Sequence, residues 1–299
     1  MMALRIVYMG TPDFAVEGLR TLVENGYPPV AVVTMPDKPA GRGHHTQFSP
    51  VKQYALSQGL PVLQPERLKD ETFLSELASY QADLQIVTAF RMLPEVVWQM
   101  PRLGTFNLHA SLLPQYRGAA PINWAIMNGD KESGCTAFFL KHDIDTGDMI
   151  MQERLPIGEH EDAGSLHDRL MVMSGRMTLQ AVRLIEQCDR EGKTVPVTAQ
   201  PMSGEFRPAP KLFKENTQID FSQSAEQIRN FVRGLSPYPA AWCALDIRGQ
   251  HFDSVKVYRV SKGEGVISVP CKDGVVSIDE LQLPGKKRMD AKSLLNGLR

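Results

Sequence analysis

Apolar and polar positions in the first half of the chain alternate between two periods. Leu4 to Met9 and Val30 to Thr34 are short, β-branched apolar runs, and Asp13 to Glu24 between them spaces its apolar residues as a helix does. Leu84 to Thr88 and Thr105 to Leu108 read as two further strands. Leu56, Pro61 to Leu63 and the helical set Phe73, Leu74 and Leu77 continue the alternation between them. This order predicts an α/β domain with a doubly wound, Rossmann-like, mostly parallel sheet that binds ligands at the carboxyl ends of its strands.

The pattern changes further along. Ile150 to Ile157 alternates as a strand, and Leu166, Leu170, Met173, Met177 and Leu184 recur at helical spacing, a Met-rich stripe that reads as helix core. From Lys193 to Pro210 the chain is rich in Pro, Thr, Gly and Ser and loses its period, as a linker does. Ser224 to Leu235 then reads as a helix capped by Ser222 or Ser224. Trp242 to Ile247, Val255 to Val260, Val266 to Val269 and Gly274 to Leu283 follow as short strands broken by glycine, which suits a small β-barrel. The expected organisation is a catalytic domain over 1–192, a linker over 193–210 and a smaller domain over 211–299.

Composition narrows the functional classes. A chain of 299 residues, 42% hydrophobic and 22% charged, can build two cores. It shows no signal segment and no apolar run long enough for a membrane span, so a cytoplasmic location with no membrane partner is expected. Cys135, Cys188, Cys243 and Cys271 lie far apart without metal-ligand or disulfide-framework spacing and read as small hydrophobes. The net charge of −1 conceals an asymmetry: from Arg207 onward there are 15 Lys and Arg against 10 Asp and Glu, a net of +5, which leaves 18 against 24, a net of −6, before it. Gly10-Thr11-Pro12 lacks the Gly-x-Gly-x-x-Gly spacing that closes a backbone onto a pyrophosphate, so a dinucleotide cofactor is not expected.

The candidate chemistry lies at the end of the fourth strand. Asn107 and His109 are two residues apart and project from the same side, and a turn at Asp145-Thr146-Gly147-Asp148 can bring a carboxylate to the imidazole. Moving an acyl group between two nitrogens builds negative charge on oxygen. It therefore needs a fixed hydrogen-bond donor and a group that handles protons. Asn107 can supply the first, His109 the second, and Asp145 can orient the imidazole, with no Ser or Cys nucleophile required.

The run Asn107 to Ile122, containing His109 and Ser111-Leu112-Leu113-Pro114, together with Asp145 to Asp148, resembles the folate-dependent formyltransferases. The resemblance implies catalytic roles for Asn107, His109 and Asp145. It also implies folate contacts from Phe90, Arg91, Met92 and Leu93, from Ser111, Leu112, Leu113 and Pro114, and from Asp143. Many members carry Ala-Tyr-Gly before a Leu-Pro where this chain has Ala89-Phe90-Arg91-Met92-Leu93-Pro94, so a positive φ that glycine would take freely would fall on Arg91. Met9 to Ala15, Pro36 to Gly43 with Ser49 to Lys52, and Gly285 to Met289 are similar to members that formylate a charged tRNA. The resemblance covers essentially the whole chain and implies an OB-like C-terminal domain. The implied reaction moves the formyl group of 10-formyltetrahydrofolate to the α-amino group of initiator methionyl-tRNA. Its rivals are formylation of a sugar-nucleotide amine and a non-catalytic folate- or RNA-binding role.

Basic residues fit such a partner. The polar loop from Pro36 to Pro50 carries Lys38, Arg42, His44 and His45, and from the resemblance it orders around the acceptor end of a tRNA with Arg42 on a phosphate or base edge. His44 and His45 are adjacent, point to opposite faces in an extended segment and lack further ligands, so no metal is expected. Lys211, Lys214, Lys286, Lys287 and Arg288 are the remaining candidates, the last three clustered as phosphate contact requires. A monomer is expected.

Overall fold

A computed structural model describes residues 4–40 and 45–297, except the side chains of 38–40, 45 and 46. In chain order its first elements are β1 (Ile6–Gly10), α1 (Asp13–Glu24), β2 (Ala31–Val33), the hairpin strands β3 (Lys38–Ala40) and β4 (His45–Gln47), α2 (Pro50–Ser57), β5 (Val62–Leu63) and α3 (Glu71–Ser79). Then come β6 (Leu84–Thr88), α4 (Glu95–Trp98), β7 (Thr105–His109), α5 (Pro121–Met127), β8 (Glu132–Phe139), β9 (Met149–Pro156) and α6 (Ala163–Arg190). The chain divides into two compact units. The first takes the chain up to Arg117 with Gly134–Arg154 and Asp168–Phe206; the second takes Gly118–Ser133, Leu155–His167 and everything from Arg207.

The first unit is built on a sheet of order β5-β2-β1-β6-β7-β8-β9. Strands β5, β2, β1, β6 and β7 pair in parallel, and β8 returns antiparallel to β7. Every residue of β1 and β6 is buried, which explains why β1 appears in the sequence as an unbroken apolar run and why β6 is apolar except for the buried Gln85 and Thr88. Val7 and Met9 face a core with Phe73, Leu77 and Val97, while Tyr8 points to the other face, where its hydroxyl donates to the Ala15 carbonyl at 2.7 Å. On that face α1 approaches Tyr8 and α6 through Gly18, where a Cβ would lie 2.7 Å from the Tyr8 hydroxyl and 3.2 Å from Thr178 Oγ1. The chain runs outward from β1 to β2 and β5, then from β6 to β7 on the other side. The switch point of the sheet therefore falls between β1 and β6, next to β7.

The second unit holds α7 (Ala225–Leu235), β10 (Ala241–Ile247), β11 (Gln250–Lys262), β12 (Ser268–Cys271), β13 (Gly274–Gln282), β14 (Met289–Asp290) and α8 (Ala291–Gly297). Its sheet has the order β10-β11-β13-β12, with β14 added to β13, and all its pairings are antiparallel. In β10 Ala241, Cys243, Leu245 and Ile247 are buried, the alternation of a sheet with one covered face. Register shifts along β10 and β11 bend these long strands around the core, giving an OB-like unit. Of the two expected caps of α7, Ser224 is the one used, in a reciprocal capping box with Gln227.

Candidate active site

Strand β7 alternates Phe106 and Leu108, buried in the sheet, with Asn107 and His109. Asn107 stands opposite Val87 of β6 and Phe138 of β8, and His109 opposite Thr136. His109 is 7% exposed, its Nε2 lying 2.8 Å from the Tyr116 carbonyl and its Nδ1 3.8 Å from Asp145 Oδ2. A carbonyl can only accept, so Nε2 carries a proton and Nδ1 is the nitrogen that faces the carboxylate. Tyr116 sits at φ +61° and Asp145 at φ +54°. Left-handed backbone at two non-glycine residues thus occurs on either side of one imidazole.

Asn107 Oδ1 is buried and has no hydrogen-bond partner among the described residues. Turning the amide about its terminal bond exchanges Oδ1 with the NH2 group, so the same position can offer a donor to an oxygen that gains charge. A buried polar atom without a partner fits a ligand there.

The loop Ser111 to Pro114 is rigidly held. Thr136 Oγ1 donates to the Ser111 carbonyl at 2.7 Å and accepts from Leu113 N at 3.2 Å. Gln152 Nε2 donates to the Leu113 carbonyl at 2.9 Å and to Thr136 Oγ1 at 2.9 Å. Ser111 is buried with its hydroxyl on the Gln115 carbonyl, Leu113 is buried, and Leu112 and Pro114 are half-buried. Gly134 is needed beside them, since a Cβ would lie 2.6 Å from Leu112 Cδ2 and 2.0 Å from the Glu153 carbonyl.

The Asp145 turn is pressed against β8. Phe139 N donates to the Asp148 carbonyl at 3.0 Å, and a Cβ on Gly147 would lie 1.6 Å from the Phe139 carbonyl. From the other side Gln200 Nε2 donates to the carbonyls of Asp145 and Gly147. Asp143 stands apart from this group: its side chain is 72% exposed, and its carboxylate faces His142 at 3.5 Å.

The left-handed residue is Ala89, at φ +47°, just before the segment Phe90 to Leu93, and Arg91 does not take the positive φ that its place in the sequence suggested. The Arg91 guanidinium instead donates to the carbonyls of Pro65 and Glu66, which fastens this segment to the loop after β5. Phe90 is half-buried, Leu93 buried and Met92 75% exposed.

Arg42 and His44 lie outside the described residues. Lys38 and His45 are placed in β3 and β4 by their backbones alone, and their side chains also lie outside. In the second unit Lys211 stands 5.4 Å from the Phe213 ring and Lys214 5.1 Å from the Trp242 ring. Lys286, Lys287 and Arg288 are all exposed. Arg288 is engaged: its Nε and Nη2 lie 2.7 and 2.9 Å from the two Glu280 oxygens, and its guanidinium 4.3 Å from the Tyr258 ring. Among the described residues no ion pair holds Lys286 or Lys287. Thr136, Gln152 and Gln200 escaped the sequence reading, because each acts on residues far along the chain and none belongs to a local motif.

Residues 4–182 match the formyl transferase family and residues 211–299 its C-terminal domain. The chain is 56% identical to a methionyl-tRNA formyltransferase of Bacteroides thetaiotaomicron, over 99% of this chain and 96% of that protein. It is 49% identical to one of Flavobacterium johnsoniae, over 100% and 97%. In fold it is similar to HypX from Aquifex aeolicus, solved with tetrahydrofolic acid, at a TM-score of 0.64 and 17% identity over 98% of this chain and 47% of that one. It is also similar to an N-formyltransferase from Helicobacter canadensis, at 0.63 and 18% over 96% and 98%. The chain belongs to the formyl transferase family, among the methionyl-tRNA formyltransferases.

Proposed function

We propose that this protein transfers the formyl group of 10-formyltetrahydrofolate to the α-amino group of initiator methionyl-tRNA, acting as a monomer in the cytoplasm. The observation that carries the reading is the grouping at the end of β7. There Asn107, whose buried Oδ1 has no hydrogen-bond partner among the described residues, stands two residues from an imidazole set between a carbonyl and the Asp145 carboxylate.

The folate supplies the formyl carbon and a nitrogen leaving group. As the amine attacks, one C–N bond forms and the carbonyl oxygen becomes negative. Asn107 donates to that oxygen, and preorganised donors of this kind lower the barrier because they need no rearrangement when charge appears. The amine nitrogen, cationic once its bond to the formyl carbon has formed, must lose a proton, and the departing folate nitrogen must gain one as the second C–N bond breaks. His109 mediates that exchange, and Asp145 orients its imidazole. Ser111 to Pro114 and Phe90 to Leu93 flank the folate, with Asp143 an exposed contact. Lys38, Arg42, Lys211, Lys286, Lys287 and Arg288 contact the tRNA.

The decisive experiment offers labelled 10-formyltetrahydrofolate with charged initiator tRNA or with a sugar-nucleotide amine. Transfer to the tRNA alone is expected, and Arg42→Ala should reduce it. Preferred transfer to the amino sugar would overturn the assignment.

A further inference from the structure

We infer that Gln200 is a positioning residue for the transfer reaction, holding the Asp145 turn where its carboxylate faces His109. Gln200 lies in the aperiodic tract between Lys193 and Pro210, yet it is only 5% exposed. Thr198 docks the tract on the start of β9, exchanging two backbone hydrogen bonds of 2.8 Å with Met149. From there Gln200 Nε2 donates to the Asp145 carbonyl at 3.0 Å and the Gly147 carbonyl at 2.8 Å, and its Oε1 accepts from Arg117 Nη2 at 2.8 Å.

All three functions of the amide are therefore in use, two donors toward one strand of chain and an acceptor toward another. A carboxylate of the same size offers only acceptors and would face two carbonyl oxygens. An apolar side chain would leave both carbonyls and the guanidinium without this partner in a largely buried place. The contacts also form a ring. Arg117 follows Tyr116, whose carbonyl receives His109 Nε2, while Asp145 faces Nδ1 of the same imidazole. Gln200 thus ties together the two backbone segments that flank His109. Asp145 needs such a tie, because its left-handed conformation is unfavourable for a residue with a Cβ.

The inference rests on the proposed roles of His109 and Asp145, so the test includes them. Gln200→Glu, Asp145→Asn, His109→Ala and the Gln200→Glu/Asp145→Asn double variant are compared in formyl transfer to methionyl-tRNA, with thermal unfolding and folate affinity measured alongside. Gln200→Glu should lower kcat by roughly 10- to 100-fold, the effect of displacing a reacting group by about 1 Å. KM, unfolding temperature and folate affinity should change little. In the Asp145→Asn background the same substitution should cost almost nothing further. If Gln200→Glu does not fold, Arg117→Ala, which frees the other end of the amide, should show the same loss absorbed by Asp145→Asn. Parental kcat in the Gln200 and Arg117 variants, or an equal loss in both backgrounds, overturns the role of Gln200 alone. Parental rates in His109→Ala and Asp145→Asn overturn the site assignment itself.

Discussion

Asn107 and His109 stand two residues apart on one strand but are supported differently. His109 is bonded through Nε2 to the Tyr116 carbonyl and faces Asp145 with Nδ1 at 3.8 Å, whereas Asn107 Oδ1 has no partner among the described residues. His109→Ala is therefore expected to lose about two to four orders of magnitude in single-turnover rate, the usual contribution of a positioned proton carrier, with folate binding kept. Asn107→Ala should lose roughly 10²–10³-fold, and the double variant clearly less than the product, since both act on one transition state. A near-parental rate for His109→Ala would remove it from the mechanism. The cysteines give a second prediction at this scale. Burial pushes the Cys135 and Cys243 thiols up to about 12, so neither forms thiolate near neutral pH. Cys188 is also buried, and Cys271 is the partly exposed one. Alkylation of the native protein at pH 8 should mark Cys271 first, as mass spectrometry of peptides would show. Equal labelling of Cys135 would mean that its strand opens readily.

Glycine contacts decide whether the elements can come together. Gly147 lets the Asp145 turn lie against β8, and the 1.6 Å approach of an added Cβ to the Phe139 carbonyl leaves no room for a methyl group. Gly147→Ala should destabilise the fold by about 1–3 kcal/mol, as overpacking does, and lower kcat beyond the effect on stability because the turn carries Asp145. Denaturant unfolding together with single-turnover transfer would separate the two effects, and an unchanged kcat would free the turn from its proposed role. Much at this scale was legible in the sequence. The β1-α1-β2 opening, α7 and the strands of the second unit follow from period and capping, and the candidate set Asn107, His109 and Asp145 follows from a local run and a nearby turn. The supporting residues were not legible. Gln152 reads as an ordinary strand position, Thr136 lies in a strand that the sequence pattern did not mark, and Gln200 sits where the hydrophobic period fails. Their roles come from partners 16 to 83 residues away, as with Gln152 to Thr136 and Gln200 to Arg117, and no local pattern encodes such pairs. Arg91 illustrates the reverse: the sequence marks a departure there, but the left-handed backbone falls on Ala89.

At the scale of the whole molecule, charge and connectivity carry the consequences. The net +5 of the chain from Arg207 suits a polyanion, but Arg288 is already neutralised by Glu280, which leaves Lys286 and Lys287 as the more available charges of their cluster. Lys286→Gln with Lys287→Gln should weaken binding of different tRNAs alike and flatten the slope of log K against log salt by about 0.7 to 0.9 per lost phosphate contact. Turnover at saturating tRNA should fall much less. An unchanged slope would make these lysines ordinary surface. The second unit also draws on stretches of chain far apart in sequence: α5 lies against α7, with Asn123 Nδ2 on the Gly234 carbonyl at 2.8 Å and Met127 packed on the core around Val232 and Leu235. Read as a sequence of events on the ribosome, this means that α5 emerges about a hundred residues before the helix that covers it. Its apolar side must wait, exposed or chaperoned, while the strands of the first unit are already complete, so the nascent chain is most vulnerable to aggregation late in its synthesis.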